Sequence, residues 1–305
     1  MKNRYYLTFD VGGFFIRGGV LNHQGELITD KVSYYPSNSA ANREQLLGNF
    51  IEVISRQILT IMDKYFVIDG IGFAFPGPFD YENGICLIKG VNKFNSLYGV
   101  DLRTELMERL NKKRFVKKLV TPQFRIIFKN NVNMFALGEW YLQKEKEYQK
   151  IMYLTIGNGT GSAFLEKGEL VSNRDDVPQN GWVYNLPFHD SIVDDYISNR
   201  GILRISRQLN IDPTFDLEDL AKAARAGQPE MKKVFQIFGE FLGEMLLNIV
   251  TLFNPDALVI GGQISKSYDL YKDEVLFALK NNNVSIKLSN ETSNSTFIGL
   301  SKILL

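Results

Sequence analysis

The sequence predicts an α/β protein built from two similar halves, and three observations carry that expectation. Short apolar, β-branched or aromatic runs alternate with longer stretches of helical periodicity along the chain. Several of the apolar runs stop at glycine-rich turns. A strand, glycine turn and second strand near the N-terminus return near residue 151.

In order, Tyr5 to Asp10 reads as a buried strand and Val11-Gly12-Gly13 as a tight turn. Phe14 to Leu21 and Glu26 to Ser33 continue as strands, joined by a hairpin at Asn22-His23-Gln24-Gly25. Between Ala40 and Tyr65, apolar residues at Leu46, Leu47, Phe50, Ile51, Ile54, Ile58 and Ile61 recur at helical spacing. Ile68 to Phe75 is a near-continuous apolar run of the kind a central strand needs, and Pro76-Gly77-Pro78 ends it. Leu102 to Leu110 reads as helix, Arg125 to Phe128 as a strand leading into Asn130-Asn131, and Met134 to Leu142 as helix.

The second half opens with a strand from Ile151 to Ile156, the turn Gly157-Asn158-Gly159-Thr160-Gly161, a strand from Ser162 to Leu165 and a turn at Lys167-Gly168. Helices are expected at 191–208, 217–226 and 230–253, then a strand from Ala257 to Ile260 ending at Gly261-Gly262. A helix over 269–280, a strand over 284–289 and a terminal helix over 295–304 finish the chain, and no linker clearly divides it. The echo between Asp10-Val-Gly-Gly…Gln24-Gly25-Glu26-Leu27 and Thr155-Ile-Gly-Asn-Gly…Lys167-Gly168-Glu169-Leu170 has two readings. One is chance similarity between hairpins. The other is a pair of related domains, each offering a glycine turn to a shared cleft that suits a polyphosphate, because glycine lets backbone N–H groups approach without a Cβ in the way.

A length of 305 residues fits two domains or one large one. With 45% hydrophobic and 23% charged residues the chain is neither disordered nor fibrous. Thirty-five basic against 34 acidic side chains leave a net charge of +1, which offers no sign of nucleic-acid binding. Cys86 is the one cysteine, which excludes a disulfide framework and a zinc site built from several cysteines. No signal peptide and no uncharged stretch of the roughly 20 residues a membrane helix needs can be read, so a soluble, cytoplasmic protein without a membrane partner is expected.

Five blocks in order give the chain a resemblance to the ROK family of bacterial sugar kinases and sugar-responsive repressors. Asp10-Val-Gly-Gly-Phe-Phe-Ile-Arg17 resembles the family's D-x-G-G-T-x-x-R, and Gly70-Ile-Gly-Phe-Ala-Phe-Pro-Gly-Pro78 its G-x-G-x-x-x-P-G-P. Asn130-Asn-Val-Asn-Met-Phe-Ala-Leu-Gly-Glu139 is similar to N-D-A-N-x-x-A-L-G-E, Gly157-Asn-Gly-Thr-Gly161 to G-T-G-x-G, and Asn254-Pro-Asp-Ala-Leu-Val-Ile-Gly-Gly262 to N-P-x-x-I-V-I-G-G. The resemblance implies two actin-like ATPase (ribonuclease H-like) domains with an interdomain cleft, expected at 1–122 with 291–305 and at 123–290. It implies ATP with magnesium held by Asp10, Gly12, Gly13, Gly157, Gly159, Gly261 and Gly262, a sugar or sugar derivative as ligand, and a homodimer. The family's repressors place a DNA-binding domain ahead of this fold, and a first strand beginning within five residues of the start leaves no room for one.

The chain departs from the pattern where chemistry is done. The family's proton-accepting Asp is Asn131 here, and an amide orients a hydroxyl without deprotonating it. A positioned general base is worth about 10²–10⁴-fold, or roughly 3–5.5 kcal/mol of barrier. Phe14 stands in place of a phosphate-contacting threonine, and its ring is expected to fill part of the phosphate space. On the sugar side the resemblance carries Gly77 and Asn130, with Asn92 or Asn95 as the upstream asparagine. It sets Gly181 at the family's sugar-contacting Glu, Tyr184 at its His, and Asp194 at a later Glu with a shorter arm. The zinc cysteines of relatives are absent, so no structural zinc or other metal ligand set is expected. His23 reads as a surface hairpin residue, His189 as a candidate ligand contact, Cys86 as a packed thiol, and the basic residues at 112–118 as a solvated helix end. Three functions follow: a kinase-like binding or sensing protein with impaired phosphotransfer, an active hexose-type kinase with atypical substrate recognition, and a ligand-free dimer scaffold. In the second, Asp194 or another carboxylate would supply the base.

Overall fold

The computed structural model describes residues 2–28, 32–90, 93–142, 147–289 and 292–305. They form two compact units, Met1–Leu142 with Ser293–Leu305, and Gln143–Thr292.

In the first unit, β1 (Asn3–Val11), β2 (Phe15–Asn22) and β3 (Ser33–Pro36) pair antiparallel. β4 (Phe66–Phe75) and β5 (Val120–Asn130) extend the sheet parallel to β1, giving the order β3-β2-β1-β4-β5. The β1–β2 hairpin closes where the Asn22 side-chain carbonyl accepts the N–H groups of Gln24 and Glu26, and Gly25 takes a positive φ. β4 is buried from Ile68 to Phe75, which is why its sequence is continuously apolar rather than alternating. Phe9, Phe73 and Phe128, on neighbouring strands, stack with centroids 5.0 and 5.1 Å apart. Onto this core packs α1 (Arg43–Leu59), started by a capping box between Asn42 and Gln45 and presenting Leu46, Leu47, Phe50, Ile54 and Ile58 inward. Cys86 is fully buried in the same core, and His23 is exposed.

The second unit repeats this plan. β6 (Lys150–Ile156), β7 (Thr160–Glu166) and β8 (Glu169–Val171) pair antiparallel, and β9 (Ala257–Gly261) and β10 (Ser285–Leu288) continue parallel to β6, giving β8-β7-β6-β9-β10. The internal echo therefore extends from a pair of hairpins to two whole sheets of one topology. Two helices matter below, α3 (Asn199–Gln208) and α4 (Pro229–Phe253). By length and composition α4 is apolar enough to cross a membrane. Here 56% of its most apolar window is buried, and Val234, Phe238, Leu242 and Leu246 sit in the unit's own core.

Four sequence expectations change. The strand expected over Glu26 to Ser33 does not form over its described residues 26–28: Leu27 makes a single bridge to Leu21, pairing resumes at Ser33, and Thr29–Lys31 lie outside the described residues. The helix expected over 191–208 is divided into a bridge strand Ser191–Ile192, a turn of helix Val193–Tyr196, and α3. It breaks because Ser198 takes an extended conformation and its hydroxyl caps the N–H of Gly201, starting a new helix. The shared helix and strand over 269–289 contract to Lys272–Ala278 and Ser285–Leu288. Residues 123–142, expected in the second domain, belong to the first unit, because β5 pairs with β4 and carries the following helix with it.

Candidate functional site

Three parallel strands of the first unit end side by side, and the residues singled out in sequence gather at those ends. β1 and β4 pair through Asp10 opposite Ala74, and β4 and β5 through Phe75 opposite Asn130. That register brings Asp10, the Gly12-Gly13 turn, Gly77 and the Asn130-Asn131 pair to one edge of one sheet. The carboxyl ends of parallel strands are where open α/β sheets bind ligands, because the chain turns away there and leaves a crevice.

Asp10 is 7% exposed. Strand register sets Arg17 directly opposite it, so the Arg17 guanidinium donates to its carboxylate at 3.0 Å, and the Ser293 hydroxyl donates at 3.2 Å. Burial nonetheless pushes the Asp10 carboxyl above the ordinary range, with Arg17 opposing. The following turn is tied at both ends: Gly12 N–H donates to the Phe15 carbonyl at 2.9 Å, and the Gly13 carbonyl accepts the hydroxyls of Ser37 and Ser39. Phe14 is 69% exposed, so its ring stands out from the turn, and its carbonyl accepts Ser37 N–H.

The two asparagines head α2 (Asn131–Leu142). Asn130 is an N-cap: its Oδ1 accepts the N–H groups of Val132 and Asn133 at 3.0 and 3.1 Å, and its Nδ2 donates to Tyr81 Oη at 3.0 Å. Tyr81 in turn donates to the Phe75 carbonyl, a contact that no motif announced. Asn131 is half-buried, its Oδ1 accepts Val132 N–H at 3.0 Å, and its Nδ2 makes no hydrogen bond among the described residues. No carboxylate is hydrogen-bonded to either amide among the described residues. Of the two upstream asparagines, Asn92 lies outside the described residues, and Asn95 is spent on its own loop, accepting Gly90 N–H at 2.8 Å.

In the second unit the glycine turns after β6 and β9 adjoin, because Gly261 pairs with Thr155. Gly262 has φ +93°, and a Cβ there would stand 2.5 Å from the Ile156 carbonyl, so only glycine fits. Gly157 differs. It is outside the left-handed region, and a Cβ there would find only Gln263 N, at 4.0 Å. Neither strain nor crowding demands glycine at 157; what its missing side chain leaves is open access to the backbone. Within the second unit the two turns form a glycine cradle of the kind that fits a phosphate; in the first unit the Asp10 carboxylate is a hard oxygen donor of the kind magnesium takes.

Asp194 and Tyr184, expected on the sugar side, are both partly buried within the second unit. Asp194 Oδ1 accepts Thr160 N–H at 2.5 Å and Oδ2 accepts Arg200 Nη2. Tyr184 is half-buried beside Trp182, with centroids 5.8 Å apart, and its carbonyl accepts Asp194 N–H. Burial, then the Asp194 charge, pushes its phenol up, so it meets a partner as a neutral hydroxyl. Gly181 has φ +71° and room for a Cβ, so a glutamate there would be opposed by backbone conformation rather than by space. His189 stands apart from these residues. It pairs with Glu244 at 3.0 Å and lines a cavity of about 140 Å³ with Tyr196, Arg204, Gln208 and Phe241. No group of three metal-ligating His, Cys, Asp or Glu side chains occurs among the described residues.

Residues 6–304 match the model of the ROK family. An N-acetyl-D-glucosamine kinase of Vibrio cholerae is 26% identical over 289 residues, covering 88% of this chain and 87% of that protein. The xylose repressor of Bacillus subtilis is 22% identical over all of this chain and 78% of its own length. Among solved structures, a ROK family glucokinase from Streptomyces griseus in complex with glucose and AMPPNP superposes with a TM-score of 0.73 at 15% identity, covering 98% of both chains.

Proposed function

The chain belongs to the ROK family, and from that premise we propose that this sugar-kinase-like protein has lost, or nearly lost, ATP-dependent phosphotransfer and acts by binding and sensing a sugar or nucleotide. One observation carries the reading: Asn131 heads α2 at the position of the family's proton acceptor, and no carboxylate is hydrogen-bonded to it or to Asn130 among the described residues. Bound ATP with magnesium would supply a transferable phosphoryl group. The residues the family resemblance assigns to it are Asp10 in the first unit and Gly157, Gly159 and Gly262 in the second. Asn131 would orient a sugar hydroxyl through its unengaged Nδ2, but an amide leaves the hydroxyl proton where it is. The expected loss is about 10²–10⁴-fold in rate. Because phosphoryl transfer is often loose, positioning alone sustains a residue of activity.

The B. subtilis repressor supports a sensing role, since that protein's name describes regulation rather than catalysis. The V. cholerae kinase favours the second reading, an active hexose-type kinase with atypical substrate recognition. Small molecules are the partners in both, with a homodimer as the assembly. Purified protein assayed with Mg-ATP and a panel of hexoses and N-acetylhexosamines separates them. Calorimetric binding with turnover well under about 1 s⁻¹, the low end of ordinary kinase rates, is the expected result; turnover above it overturns the proposal.

A further inference from the structure

We propose that Asp194 is a positioning residue that sets the shape of the glycine turn Gly157–Gly161 for a nucleotide's phosphates, with Arg200 as the counter-charge that keeps its carboxylate from repelling them. The inference rests on the reading that this turn receives ATP.

The segment from Asp194 to Asn199 grips the turn along its length. Asn199 N–H donates to the Gly157 carbonyl at 2.8 Å, the Thr160 hydroxyl donates to the Ile197 carbonyl, and Asp194 Oδ1 takes Thr160 N–H at 2.5 Å. The approach at the middle is close: a Cβ on Gly159 would lie 3.0 Å from Asp194 Oδ1. Glycine at 159 is thus explained by the carboxylate beneath it, whereas glycine at 157 faces open space. Asp194 is itself pinned, its N–H given to the Tyr184 carbonyl and its own carbonyl accepting the Ser198 hydroxyl at 2.6 Å. Its side chain is 15% exposed, and both carboxylate oxygens are engaged within the unit.

A fixed negative charge one hydrogen bond from an anion-binding turn would oppose the anion. Arg200, in the first turn of α3, answers it: the guanidinium donates to Asp194 Oδ2 and lies 3.6 Å from Asp195 Oδ1. A charge-assisted bond to a backbone N–H is among the stronger hydrogen bonds, so the carboxylate fixes the turn while the guanidinium cancels its field.

The test measures ADP binding to the full chain by calorimetry, sugar binding in parallel, and amide hydrogen exchange in peptides covering Gly159 and Thr160. Asp194→Ala is expected to weaken ADP binding about tenfold or more and to speed exchange at Thr160. Asp194→Asn, whose amide oxygen accepts the same N–H, should stay within about threefold of the parent. Arg200→Met alone should weaken ADP binding more than the Asp194→Asn/Arg200→Met pair, because only the single variant leaves a bare carboxylate at the turn. If Asp194→Ala does not fold, this comparison decides. Unchanged ADP affinity and unchanged exchange, with sugar binding lost instead, overturns the proposal. A parent protein that binds no ADP counts against the ATP reading, and the exchange measurement then still decides whether Asp194 shapes the turn.

Discussion

At the scale of single residues, the proposed function turns on a neutral amide at 131 and a buried acid at 10. Converting Asn131→Asp supplies the missing proton acceptor but leaves Gly181 and Tyr184 in place. Steady-state assays should therefore find turnover still far below that of an ordinary kinase; full recovery would mean that the sugar side is intact. Asp10 makes a prediction about pH. Its carboxyl lies above the ordinary range in the folded chain because burial disfavours its charge. Between the ordinary carboxylate pKa and that raised value the folded state holds more protons than the unfolded one, so stability falls as pH rises through the interval. Asp10→Asn removes that slope: melting curves from pH 4 to 8 should show the variant gaining on the parent towards neutral pH, while magnesium-dependent nucleotide binding is lost. A variant whose deficit grows with pH would show that Arg17 outweighs burial. Asp10 and Arg17 were legible in sequence as a motif, since a hairpin places them face to face. Asp194 was legible as a candidate but its contact was not: its partner Thr160 is 34 positions away, and no local pattern records a carboxylate reaching a turn that far back.

At the scale of elements, close approaches set what glycine must do. A Cβ at Gly262 would press on Ile156 and force a left-handed conformation that costs most residues about 1–2 kcal/mol. Gly262→Ala should thus destabilise by at least that much, read as a lower midpoint in denaturant titration, whereas Gly157→Ala should leave stability nearly unchanged and weaken nucleotide binding. Equal losses of stability at the two positions would contradict the distinction. In the first unit, α2 and the C-terminal helix Thr292–Leu304 cross backbone to backbone: a Cβ at Gly138 would collide with the Ser295 carbonyl, and one at Gly299 with the Met134 carbonyl. Overpacking of this kind costs about 1–3 kcal/mol, and Gly138→Ala should show it in the same titration. The helices and strands were mostly readable because their periodicities are local. The break at Ser198 was not, since the apolar spacing runs through it and only the hydroxyl cap on Gly201 reveals a new start.

At the scale of the whole molecule, the second unit is one continuous stretch and the first is closed by the last residues of the chain. Removing Ser293–Leu305 should unfold the first unit, which loses the helix against Gly138 and the Ser293 hydroxyl on Asp10, while the second keeps its protease resistance. Loss of both together would show that the units do not fold separately. A sugar or nucleotide at about 100 times its dissociation constant should add about 2.7 kcal/mol of stability, visible as a raised melting temperature; no shift with any member of the panel would favour a ligand-free scaffold. By itself the sequence determined the α/β class, the repeated strand–glycine turn–strand plan, the ROK blocks and the amide at 131, because each is written in neighbouring residues. Only the tertiary structure decided that residues 123–142 belong with the first sheet, that the Phe14 ring is exposed, and that Asp194 is bonded to Thr160 and Arg200. Those outcomes depend on strand partners and on carboxylate reach across dozens of residues, which no local spacing encodes.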